Sequence, residues 1–144
     1  MDELRLEYLK MSQKAYPYLK GFIKPGNDEL WCNPLGVYCQ PWRSGPLHLD
    51  PEITFDHVID EFEPPFRVLR QEEIQEIYLT EADGMHISTM EKSFHNWYWT
   101  IYGVREGFLK QHDWTILWLC FLMEVCFSRW WDGSEWIEIM EALP

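Results

Sequence analysis

The sequence predicts an α+β fold: a single globular domain over residues 1–144 in which a small, mostly antiparallel sheet packs against a buried C-terminal-half helix and an N-terminal amphipathic helix. Three observations carry that expectation. Nine Trp, seven Tyr and eight Phe in 144 residues, with 47% hydrophobic residues overall, supply enough apolar surface for a real core. The stretch 114–127 is apolar on nearly every side, the pattern of a helix buried around most of its circumference. Several short segments alternate in polarity and are bounded by Gly, Pro, Asn and Asp, as strands are.

Taken in order, residues 2–16 place Leu4, Tyr8, Met11 and Ala15 at helical spacing, with acids at the start and Lys10 and Lys14 near the end. Pro17 is expected to stop this helix. After the turn signal at 25–28, residues 30–32 and 37–39 read as two strands of a hairpin around Asn33, Pro34, Leu35 and Gly36. The three prolines at 41, 46 and 51 suggest irregular loop over 40–51. Asp50, Pro51 and Glu52 then look like a helix start, and a helix is favoured over a strand from there until Pro64 and Pro65.

Residues 70–79 carry Ile74, Ile77 and Tyr78 on one face of a short helix and Glu72, Glu73 and Glu76 elsewhere. Ser88 and Glu91 form a capping-box pattern that predicts a brief helical turn. Over 96–102 Trp97, Trp99 and Ile101 alternate with Tyr98, Thr100 and Tyr102, which predicts a strand. Asp113 would cap the long helix 114–128, and Asp132, Gly133 and Ser134 would either end it or turn a hairpin into a final strand at 135–139.

The formal net charge of −12 sets the class of partner. Affinity for phosphate backbones comes from Lys and Arg displacing condensed counterions, so direct nucleic acid binding and anionic membranes are not expected. A protein partner with a basic surface is compatible. No secretory leader is recognisable at the start, and the thiols of Cys32, Cys39, Cys120 and Cys126 are expected to be reduced in a cytoplasmic setting. The apolar stretch 114–127 would span only about 21 Å as a helix against about 30 Å of bilayer hydrocarbon, and Glu124 lies inside it.

Two constellations could carry chemistry. Cys32, Cys39, His48 and His57 could supply the two thiolates and two imidazoles of a tetrahedral zinc site. Their spacing opposes this, because six residues separate the cysteines and eight the histidines, wider than the usual ligand knuckles. No cofactor is therefore expected, with zinc kept as the alternative. Glu135 and Glu138 beside Trp130, Trp131 and Trp136 could line a binding cleft, the rings stacking on a sugar or cationic group. The plainer reading of that strand has one face on the core and the other in water. The chain lacks a G-x-S-x-G elbow and a phosphate-cradling glycine motif, and Cys120 and Cys126 sit where burial makes thiols inert. These observations favour a small acidic intracellular interaction domain, regulatory or inhibitory, of the kind an accessory protein of a bacterium or phage would provide. The alternative is a small-molecule or zinc-binding domain, including an enzyme.

Overall fold

The computed structural model describes residues 3–24, 28–41, 48–54, 59–81, 86–102 and 114–139. Helices and antiparallel sheets are both present, as the sequence predicts. Backbone contacts divide the chain into two compact units, Met1–Leu69 and Arg70–Pro144.

In the first unit, helix α1 (Glu3–Leu19) precedes strands β1 (Asp28–Asn33), β2 (Gly36–Pro41), β3 (His48–Thr54) and β4 (Phe66–Arg67), which form one antiparallel sheet in the order β3-β2-β1-β4. The expected hairpin is there, with Cys32 opposite Val37 and Asn33 opposite Gly36. Its turn is written into the sequence. Asn33 Oδ1 accepts from the amides of Leu35 (2.8 Å) and Gly36 (3.1 Å), and Gly36 takes a φ of 149° that a side chain would resist.

Helix α1 runs past Pro17, which lies in its last turn. A proline there removes a single intrahelical bond near an end, and the Lys20 amide still donates to the Tyr16 carbonyl at 2.9 Å. The helix contacts β4, Tyr8 donates its hydroxyl hydrogen bond to the Leu69 carbonyl, and Gln13 Nε2 donates to that of Glu61. These bonds tie it to the segment before and after β4. Between helix and sheet Leu9, Cys32, Val37, Phe62, Phe66 and Val68 form the buried cluster.

Residues 48–54 correct the expectation of a loop followed by a helix: they form β3. Pairing prevails over the apparent helix start at Asp50 and Pro51 because β2 offers a ladder to these residues. Pro51 is tolerated because β3 is an edge strand and its pairing is irregular between the Tyr38–Leu49 and Gly36–Thr54 partners.

The second unit holds α2 (Gln71–Glu81), α3 (Ile87–Tyr102), α4 (Trp114–Phe127) and the hairpin β5 (Arg129–Trp131) and β6 (Trp136–Glu138). Helix α4 buries every residue from Leu117 to Met123 and contacts α2, α3 and β5, which makes it the centre of this unit. The strand expected over 96–102 is the second half of α3. Met90 and Phe94 are buried and Trp97 and Tyr98 half-buried, a helical i, i+4, i+7, i+8 stripe. Alternation over so short a window is outweighed once that longer phase begins upstream. In place of the brief turn expected at Ser88 there is a full helix, which begins one residue earlier at Ile87 and whose first bond runs from the Met90 amide to the His86 carbonyl.

The final hairpin turns on Asp132, whose Oδ1 accepts from the amides of Ser134 and Glu135, each at 2.8 Å. Those amides, Ser134 first, hold the Asp132 carboxyl below its ordinary range. Gly133 sits at φ 110°, where a Cβ would be strained. Asp113 lies outside the described residues. Among the described residues no helix is long and apolar enough to cross a membrane.

Candidate functional site

The β5–β6 register sets Trp131 opposite Trp136 and Trp130 opposite Ile137. Trp131 (2% exposed) and Trp136 (6%) pack their rings 5.2 Å apart at 57° and belong to the interior. Trp130 is half-buried, while Glu135 and Glu138 are exposed. The hairpin thus separates the two acids from two of the three indoles placed beside them by sequence. What it leaves at the surface is carboxylate.

For the cysteine and histidine group, the backbone register places His48 opposite Cys39, and Cys39 opposite Leu30, two positions from Cys32 along β1. The side chains of Cys39 and His48, and all of His57, lie outside the described residues. Cys32 itself is wholly buried and donates weakly to the Asn33 carbonyl, Sγ to O 3.6 Å. Among the described residues no three His, Cys, Asp or Glu side chains gather as a metal would require.

Burial pushes the Cys32 thiol up to about 12. Cys126 is pushed up to about 11, first by burial and then by the negative charge of Glu81. Both are neutral thiols at physiological pH and poor nucleophiles. The Cys32 shift has a measurable sign. A thiol with an ordinary value of 9.0 in the unfolded chain ionises there first, so its contribution to stability is complete below that value and is lost as pH climbs toward 12. Between about pH 8 and about pH 10 the protein should lose about 1.4 kcal/mol more than a Cys32→Ala variant does. Urea unfolding of both chains at the two pH values measures it, and equal losses would refute it.

Among the described residues the two most exposed aromatic side chains lie elsewhere, on α3 and at the first residue of α4. Trp99 is 69% exposed and Trp114 53%. Tyr98 lies between them, its ring 5.4 Å from that of Trp99 and 6.1 Å from that of Trp114. Beneath, Phe94 lies 6.1 Å from Trp114 and stacks on Trp118 at 4.0 Å and 8°. Two indoles in water are thus mounted on a ring stack that is fixed inside the fold. No family model, curated protein or solved structure matches the chain.

Sequence reasoning misses Trp99 because alternation over 96–102 reads as a strand, and Trp114 because it opens a run read as buried. A helical wheel begun at Met90 finds Trp99: with Met90 and Phe94 inward, Asn96, Trp99 and Thr100 fall on the outer side, and all three are exposed.

The charge distribution completes the picture. Asp60, Glu61 and Glu63 are exposed in the first unit, and Glu72, Glu76 and Glu81 in the second. No Asp or Glu among the described side chains is buried.

Proposed function

We propose that this chain is a protein-interaction domain that regulates or inhibits a partner by occupying a basic surface. The observation that carries the reading is that none of the described carboxylates is buried, on a chain whose formal net charge is −12. Such a field attracts a positively charged surface over distances comparable to the Debye length, about 8 Å at physiological salt, and speeds encounter with it. Occupation of that surface then denies it to polyanions or other acidic ligands. Hydrophobic anchoring supplies the affinity that screened surface charges alone do not.

The full chain, immobilised and exposed to an extract of its native host, tests this. A basic protein should be retained at low salt and released as the ionic strength rises to about 0.5 M, where the Debye length falls below about 5 Å. Retention of neutral or acidic proteins only, or retention indifferent to salt, would reject the reading.

A further inference from the structure

An acidic interaction domain needs an anchor, and on that reading we propose that the face formed by Trp99, Tyr98 and Trp114 is the anchor for a basic segment of the partner protein, taking arginine side chains stacked on the exposed indoles. The geometry favours a planar cation. An indole is the best aromatic partner for a cation, and a guanidinium stacks on it with its flat face while leaving its N–H groups free for other contacts. This chain already makes that contact in its own first unit, where the Arg67 guanidinium lies over the Trp31 ring at 5.9 Å.

The rings are held in place before binding. Tyr98 contacts both indoles, Phe94 (3% exposed) contacts Tyr98 and Trp114, and Trp118 backs Phe94. Little rotamer entropy therefore remains to be lost at the underlying rings, the condition under which a few aromatic contacts dominate affinity.

Charge selects the occupant. A second copy of the chain would bring another −12 to the same face and is disfavoured by repulsion. On α3 the exposed neighbours one turn before Trp99 are His95 and Asn96, and Glu91 and Lys92 stand two turns away, about 10–12 Å along the axis. These two opposite charges offset one another, so the surplus of carboxylates over the whole chain sets the sign of the field in which the face sits.

Octa-arginine, octa-lysine and octa-glutamate peptides titrated into the full-length protein by calorimetry provide the test, with wild type, Trp99→Ala and Trp99→Phe compared at matched circular dichroism. Trp99 is mostly exposed, so its truncation leaves the fold intact. Octa-arginine should bind more tightly than octa-lysine. Trp99→Ala should weaken octa-arginine about 5- to 30-fold and erase the preference, and Trp99→Phe should restore part of it. Equal, salt-sensitive binding of both cationic peptides that is indifferent to Trp99 would overturn the anchor and leave the acidic interaction domain standing. Failure of both cationic peptides to bind, or binding of octa-glutamate, would overturn both. Concentration-dependent dimerisation lost in Trp99→Ala would assign the face to a second copy and overturn the arginine anchor.

Discussion

Replacing Phe94 with alanine should cost about 3–5 kcal/mol of stability, among the largest effects of any single substitution in the second unit. The reason lies in how many interactions converge on one ring. Phe94 is stacked on Trp118 at 4.0 Å, meets Phe121 edge-on at 5.5 Å, and lies within 6.4 Å of Trp97, Tyr98 and Trp114. Truncation removes the transfer free energy of the ring and leaves a void that these neighbours cannot collapse into, because each is fixed by another: Phe121, for example, also packs on Tyr78 at 4.9 Å. Phe94→Leu retains much of the volume but none of the ring geometry, and should cost about 1–2 kcal/mol. His95→Ala, one residue on and exposed, should stay within about 0.5 kcal/mol. Urea unfolding followed by tryptophan fluorescence orders the three. A Phe94→Ala cost below about 1 kcal/mol would show that the stack does not organise this unit.

The elements legible in the sequence are those whose local signals agree with their packing. Residues 70–79 combine an apolar stripe with helical propensity and appear as α2, Gln71–Glu81. The hairpin of β1 and β2 is readable because Asn33 and Gly36 satisfy the turn by themselves, before any tertiary contact is made. The apolar run beginning at Trp114 reads as a mostly interior helix, and seven consecutive buried residues, Leu117 to Met123, are the result.

Where local signals conflict, the distant partner decides. Trp97, Trp99 and Ile101 alternate as a strand would, yet Phe94 and Trp97 both meet Phe121 of α4, at 5.5 and 5.6 Å, as the i, i+3 spacing of a helix allows. Residues 48–54 carry a proline and a helix-start pattern, but β2 presents an edge for them to pair with. The candidate site shares this fate. Which indole meets water depends on helical phase and on which ring its neighbour covers: Trp131 and Trp136 cover one another, while Trp99 and Trp114 project from the ends of their stack. Counting tryptophans near acids cannot separate the two pairs.

In the first unit the corresponding stress point is the ion pair across the sheet. Arg67 Nη1 donates to Glu29 Oε1 at 3.1 Å, with the arginine side chain 2% exposed and the glutamate 19%. Arg67 is directly opposite Trp31, whose ring its guanidinium overlies, and Glu29 is two residues before Trp31 on the same strand, so the three share one face of the sheet. A guanidinium remains charged at every accessible pH, so Glu29→Leu leaves a positive charge buried with one carboxylate fewer and should cost about 3 kcal/mol. Arg67→Met should cost less, about 2 kcal/mol, because Glu29 retains some access to water and methionine fills much of the vacated volume against Trp31. The double variant should fall within about 1 kcal/mol of wild type, since desolvating two charges offsets most of what their attraction returns. A double-mutant cycle by urea unfolding measures the coupling. Costs that simply add would mean that the pair acts as two independent side chains, and that packing around Trp31, not charge, holds β4 to β1.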